Sequence, residues 1–448
     1  MNAWSVVSWR RRRSGDVDRS TGRNSMAFSK FPSTTRRSFL KGAGMVSAAA
    51  VTGSFPIPAI AQAQEVTMIS AENNGAALDA LKAIAASFSK EAGVNVVINN
   101  MDHEAHKTAI RNYLVAGAPD ICSWFSGNRM RAFVKRGLFD DISDLFEKEK
   151  YKDVLGATAG AVTDGGKQYG LPTGGTLWGM FYRKDVFEQH GLTVPKTAEE
   201  FMAYGDKCKA AGITPVAIGT KELWPAAGWF DQMNLRINGL DKHMALMNGE
   251  MSYLDPALTA VFDQWEAMIS KGFFTENHTS FGWQEAAALL AQKKAGMMNL
   301  GAFLRSAFTA EDLPQLSYAT FPVLDAKVGH YEEFSVNSIH IPATAKNKQG
   351  AREFLAYFYK PENLAAYLEP AGNVPPRSDL PPSKDPLVNV AVETMKTVQG
   401  TSQYYDRDSD PDMAQAGLVG FQEFMAKPDR RKAILTRLEG TRKRIYKI

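Results

Sequence analysis

Apolar and polar positions follow two different periods along this chain, and the switches between them lay out its elements. Residues 66–70 form a short apolar run that ends in the polar turn Ala71-Glu72-Asn73-Asn74-Gly75. Leu81, Ile84, Ala85 and Phe88 then recur at i, i+3, i+4 and i+7, the spacing of a helix with one buried face. Gly93 stops that helix, and the β-branched run 94–98 predicts a strand, completing a βαβ unit. A helix over 107–115 leads through Ala116-Gly117-Ala118 into a buried strand at 119–124 that ends in a loop.

A second α/β set follows. Thr197-Ala198-Glu199-Glu200 is a capping box that opens a helix to Ala211, Gly212 ends it, and 213–218 is the next strand. Asp255-Pro256 supplies a cap and a first-turn proline before Leu258, Val261, Phe262, Trp265, Met268 and Ile269, with Gly272 as the stop. That periodicity puts Trp265 in the core. Residues 284–294 read as a helix that feeds a strand at 296–300, and the Gly-rich, strand-like segment 167–175 connects the two sets. Strands alternating with helices imply a parallel sheet, whose ligands gather beyond the carboxyl ends of the strands. Glu72, Asn73, Trp124 and Asn128 are expected at such ends.

Charge changes the picture once the N-terminal region is set aside. Arg36-Arg37-Ser38-Phe39-Leu40-Lys41 precedes a small-residue apolar stretch at 42–61, and Ala59-Ile60-Ala61 and Ala61-Gln62-Ala63 offer cleavage sites. Pro56 and Pro58 break any buried helix there. Residues 1–63 are therefore expected to be a cleaved twin-arginine signal peptide, with 1–25, ahead of Met26, reading as upstream coding from a start-site choice. No cysteine follows the stretch to carry a lipid, so the expected product is periplasmic, soluble and not lipid-anchored, exported by the twin-arginine translocase. The whole chain carries +4 and residues 1–63 carry +8, which leaves −4 for the remainder. Such a domain has no electrostatic reason to bind nucleic acid.

The remaining stretch of about 385 residues suits two lobes rather than one core. Cys122 and Cys208 lie in apolar segments and are expected to be buried free thiols, one disulfide between them being the alternative. No stretch after the leader approaches the ~18 apolar residues of a membrane span.

Catalytic chemistry finds little to hold. His103 and His106 stand at i, i+3 beside Glu104, the wrong spacing for a zincin, and are expected on a solvated helix start. There is no G-x-S-x-G elbow, Walker loop or dinucleotide fingerprint, and no cofactor is expected. Tyr404-Tyr405 keeps open a ferric-iron or small-anion binder, with one ring packed and one exposed as the plainer reading. An exported hydrolase or redox enzyme is a third possibility. Trp124-Phe125, Trp178, Glu222-Leu223-Trp224, Trp229 and Phe303 are expected in loops or at strand ends. Flat rings bordered by Asn, Asp, Glu and Arg suit a sugar, whose C–H face lies on a ring while its hydroxyls need donors and acceptors.

At these residues the chain resembles the extracellular solute-binding proteins of carbohydrate ABC importers, the maltodextrin-binding-protein group. The landmarks are Gly117-Ala118-Pro119-Asp120-Ile121, Gly166-Lys167-Gln168-Tyr169-Gly170-Leu171-Pro172, Phe181-Tyr182-Arg183-Lys184-Asp185, Pro195-Lys196-Thr197-Ala198-Glu199-Glu200-Phe201, Ala295-Gly296-Met297-Met298-Asn299-Leu300-Gly301-Ala302-Phe303 and Ala351-Arg352-Glu353-Phe354-Leu355. The resemblance implies an α/β, type II periplasmic-binding-protein fold with two lobes, 64–172 plus 339–372 and 178–333 plus 379–448. Hinge crossings are implied near 173–177, 334–338 and 371–378. It also implies a monomer, not an enzyme, that passes a mono- or short oligosaccharide or glycoside to ABC permease subunits. By the same resemblance the first-loop polar contact falls on Glu72 or Asn73, the aromatic after the Pro-Asp strand on Trp124, and a polar pair on Asn128-Arg129. The second-lobe aromatic falls on Trp224, two after Glu222. The Gly-x-Trp platform reads Gly301-Ala302-Phe303, a smaller ring that disfavours a long oligosaccharide. Arg305, Asn337 and Arg377 complete the implied lobe and hinge contacts.

Overall fold

The computed structural model describes residues 65–156 and 158–447. The readings made for the leader at 1–63 lie outside the described residues. Glu65–Ser70 and Asn95–Asn100 pair in parallel around the helix Gly75–Ala92, which buries Leu81, Ile84, Ala85 and Phe88 as its periodicity predicts. Asn74 caps that helix by accepting from the backbone N–H of Ala76 and Ala77, and Gly93 ends it at φ 70°.

These strands belong to one sheet, ordered Asn95–Asn100, Glu65–Ser70, Ile121–Phe125, Tyr331–His340, Leu171–Arg183, Ala295–Gly301 and Thr214–Val216. Each end of the sheet is parallel, as expected. Its middle is not: Tyr331–His340 runs antiparallel to both Ile121–Phe125 and Leu171–Arg183, and the latter is antiparallel to Ala295–Gly301. The sheet is therefore mixed, because two long strands return through its centre instead of each strand closing on a helical crossover.

Apolar side chains collect in separate clusters along this sheet. One gathers Val66, Leu81, Phe88, Ile121, Leu171, Ile339, Phe354 and Leu368; another gathers Met180, Trp229, Phe262, Trp265, Met297, Tyr405 and Phe421. A smaller third one holds Trp178, Phe181, Trp283 and Leu300. Leu171–Arg183 gives Leu171 to the first and Met180 to the second, so a single strand threads both. Cys122 and Cys208 are free and lie in different clusters, where burial pushes their thiols up to about 12 and about 11.

Several expectations need correction. Trp229 sits in a helix and not in a loop: Trp224–Met247 is helical, interrupted at Gly239, and buries Trp229 completely. The pattern hid that helix because it is buried on nearly every side and carries the buried polar residues Asp231, Gln232, Asn234 and Arg236. The strand expected at 213–218 is only Thr214–Val216, and the helix expected at 107–115 begins at His103. Nor is that helix start solvated at His106, whose ring is buried and whose Nε2 donates to the Ser123 carbonyl at 2.9 Å.

Trp265 is fully buried among Phe262, Phe421 and Phe424. Trp265→Ala is expected to lower stability by about 3–5 kcal/mol through the cavity it leaves, with ligand affinity unchanged, as read by urea denaturation beside calorimetry. His340 is also fully buried, stacked on Phe139 at 4.3 Å, with Nδ1 donating to the Tyr169 carbonyl and Nε2 accepting from Ser338. Burial lowers its pKa to about 4. The unfolded chain then takes up this proton near pH 6.5 while the folded chain does not, so stability falls as pH drops from 6.5 towards 4. At pH 5 this group alone is expected to remove about 2 kcal/mol relative to pH 8. Imidazole NMR should show His340 neutral down to about pH 4, and titration near 6.5 would contradict the assignment.

Candidate functional site

A cavity of ≈170 Å³ opens where the strand ends and the crossing strands meet. Its apolar wall is a connected set of rings. Trp178, on Leu171–Arg183, packs edge-on to Tyr404 at 4.7 Å and to Trp224 at 5.9 Å. Phe303 touches Trp283 at 5.1 Å and Trp224 at 6.0 Å. Local backbone chemistry aims these rings. Leu223 has φ 67° and ψ −48°, and the Trp224 N–H reaches back to the Glu222 carbonyl at 2.8 Å. This is a γ-turn of the strained hand, which costs about 1–3 kcal/mol and sets Trp224 at the mouth of its helix. Gly228 allows the approach, since a Cβ there would stand 2.5 Å from the Trp178 ring. Gly301 does the same for Phe303, whose ring would lie 2.4 Å from an added Cβ.

Polar groups face this wall. Glu72 and Asn73 come from the end of Glu65–Ser70, His103 and Lys107 from His103–Ala116, Ser335 and Asn337 from Tyr331–His340, and Asp406 and Arg407 from Tyr405–Asp408. Glu72 accepts from the Asn74 N–H and the Tyr367 hydroxyl, each at 2.8 Å, yet burial still raises its pKa. Asp231 is fully buried, accepts from the Tyr405 N–H at 2.7 Å and lies beside the equally buried Glu333. Burial drives both carboxyls upward. His103 is held neutral, lowered to about 3 by burial and then by Lys107 and Arg407. Burial works to raise Asp406, but Arg129, Lys107 and Arg407 together keep it below the usual carboxylate range.

Of the residues singled out from the sequence, Glu72, Asn73, Trp224, Phe303 and Asn337 line this cavity. Trp124 does not; it lines a neighbouring cavity of ≈80 Å³ behind Phe125 and His103. The others are engaged elsewhere. Asn128 donates to the Asp408 carbonyl, and Arg129 pairs with Asp406 at 2.8 Å. Glu222 accepts from the Trp283 N–H at 3.1 Å, so it caps the helix that presents Trp283. Arg305 pairs with Asp385, and Arg377 pairs with Asp379 at 2.7 Å while its guanidinium lies 5.3 Å from the Tyr359 ring. Each charged head is engaged by a protein partner, and none of these residues lines the cavity. Sequence reasoning set His103 aside as part of a solvated helix start, and it missed Trp283, Asp231, Asp406 and Arg407. The run Tyr404-Tyr405-Asp406-Arg407-Asp408, dense in aromatic and charged residues, is the one signal that could have found the last two.

A mixed sheet threading separate α/β cores, with a cleft at its strand ends, is the fold of type II periplasmic solute-binding proteins. The chain belongs to the bacterial extracellular solute-binding protein family, whose model matches residues 73–365. This is a family of binding proteins. An "Uncharacterized ABC transporter extracellular-binding protein" of Pyrococcus horikoshii is 25% identical over 332 residues, covering 71% of this chain and 73% of that one. A "Probable sugar-binding periplasmic protein" of Mesorhizobium japonicum is 25% identical over 332 residues, covering 72% and 78%. Among solved structures, the bacterial solute receptor AcbH superposes with a TM-score of 0.82 at 30% identity, over 86% of this chain and all of that one. Among the described residues, no helix is long and apolar enough to cross a membrane.

Proposed function

We propose that this chain is an exported receptor that captures a monosaccharide, short oligosaccharide or glycoside between two closing lobes and delivers it to an ABC permease. The observation that carries this reading is the cavity itself: four aromatic rings in mutual contact on one side, and Glu72, Asn73, Asn337 and Arg407 on the other. A pyranose needs that division of labour, with its C–H face on rings and its hydroxyls on paired donors and acceptors. The preference described for AcbH, β-D-galactopyranose, and the sugar-binding name of the Mesorhizobium relative support the same class. Closure follows if the ligand touches groups from both cores, since only differential affinity for the closed form shifts the equilibrium. The strands Leu171–Arg183 and Tyr331–His340, which pass between the clusters, are the natural hinges.

The ferric reading loses ground on geometry. The Tyr405 hydroxyl is buried against the Tyr253 hydroxyl at 2.5 Å, and the Tyr404 hydroxyl hydrogen-bonds with Ser335 at 2.8 Å. Burial pushes both phenols upward, away from tyrosinate.

A calorimetric titration over neutral and acidic sugars is expected to find a tight ligand, and small-angle scattering should then show a more compact bound form. Trp224→Ala and Phe303→Ala should each weaken that ligand by roughly thirtyfold or more. Unchanged affinity in both variants would remove the aromatic wall from the site. For export, replacing Arg36 and Arg37 with lysine is expected to leave the precursor in the cytoplasm, as cell fractionation would show. Mature protein in the periplasm of that variant would rule out the twin-arginine route.

A further inference from the structure

Arg407 is only 7% exposed, yet it lines the cavity. Its guanidinium is clamped between two rings, 4.3 Å from the Phe125 centroid and 4.7 Å from that of Tyr404. Nη1 donates to Asn337 Oδ1 at 3.1 Å and to the Val336 carbonyl at 3.5 Å. Nε and Nη2 have no hydrogen-bond partner among the described residues, and none of their carboxylates lies within the 4.0 Å of an ion pair with Arg407. The adjacent carboxylates are already engaged. Asp406 is bound to Arg129 at 2.8 Å, and Asp408 accepts from the Gln403 N–H at 2.7 Å.

Asp406 and Asp408 favour the charged guanidinium through space and Arg129 opposes it, so the nearby charge is mixed. Lys107, which lines the same wall, has only the partly exposed Glu104 as its partner, at 3.1 Å. Arg129, Lys107 and Arg407 thus surround the one carboxylate of Asp406. Of the other acids lining the cavity, Glu72 is tied to Tyr367 and Asn74, and Asp231 accepts from the Tyr405 N–H beside Glu333. None of these acids pairs with Arg407. The Nε–Nη2 edge, which no group among the described residues occupies, has the fork geometry that matches a carboxylate.

We propose that the ligand is an acidic saccharide, a uronate or aldonate, whose carboxylate seats on the Nε–Nη2 edge of Arg407 while its ring lies on Trp178, Trp224 and Phe303. This rests on the saccharide reading and narrows it to a charge class.

The test is calorimetry on the purified mature protein with matched probes: D-galacturonate, its methyl ester and D-galactose; D-glucuronate, its methyl ester and D-glucose; and D-gluconate. Within at least one matched set, or for gluconate against glucose, the acid is expected to bind on the order of 30- to 1000-fold tighter than its neutral partner, with the ester behaving like the neutral sugar. Arg407→Gln should erase that difference, and Arg407→Lys, which keeps the charge but loses the fork, should retain part of it. The wild-type comparison needs no variant to fold. A neutral sugar that binds as tightly as its acid overturns the proposal and leaves the saccharide reading standing. Tight binding of an acid that survives in a folded Arg407→Gln variant also overturns it. If none of these probes binds, this proposal is overturned in the form stated, and the wider saccharide reading is decided separately by the titration over neutral and acidic sugars.

Discussion

The pairing of Leu171–Arg183 with Tyr331–His340 is the contact on which the rest of the molecule depends. These two antiparallel strands occupy the centre of the sheet, with an irregularity between Asn337 and Ser338 where the register shifts. Backbone hydrogen bonds along such a ladder tolerate twist but not slippage, because a one-residue slip would reverse every side chain. That register holds Leu171 and Ile339 in one core and Trp178 beside the other, and it sets Thr176, Ser335 and Asn337 at the cavity. Site geometry and core packing are therefore fixed by the same ladder. A shift that opened the cleft would have to be absorbed by twist within these strands.

The aromatic wall carries its own cost. Leu223 sits at positive φ to present Trp224, and Trp178 Nε1 is buried without a protein acceptor. Asp231 and Glu333 bring further unpartnered oxygens close to the same place. Other buried polar groups are fully engaged: His340 has partners on both nitrogens and Asp120 accepts from Thr67 and Asn347. The strain at Leu223 and the free Trp178 Nε1 belong to the wall that a ligand would meet, so part of what the free protein forgoes there is available to binding.

How much of this was legible depends on how far each residue's partner lies along the chain. The first βαβ unit, the Thr197 capping box and the core position of Trp265 were readable because amphipathic period and caps are local signals. The helix Trp224–Met247 was not, because Asp231, Gln232 and Asn234 are buried by tertiary packing that overrides the polar pattern. At the site, Glu72, Asn73, Trp224, Phe303 and Asn337 could be placed at the cavity from strand ends and family motifs. Arg305 and Arg377 could not be excluded from sequence, because what removes them is pairing with Asp385 and Asp379, a geometric fact with no linear signature.

The same reasoning explains why Arg407 was passed over and why it matters. In the sequence it is flanked by Asp406 and Asp408, which makes it look neutralised. In space those neighbours are drawn off, Asp406 to Arg129 and Asp408 to the Gln403 backbone, and burial lifts the Asp408 carboxyl to about 6. The flanking acids still favour the guanidinium's charge through space, but their hydrogen bonds go to holding the loop that carries it. What is left is a cation fixed between Phe125 and Tyr404, with one edge unpaired beside an aromatic wall. An anionic group from outside the chain would complete the hydrogen bonding of that edge.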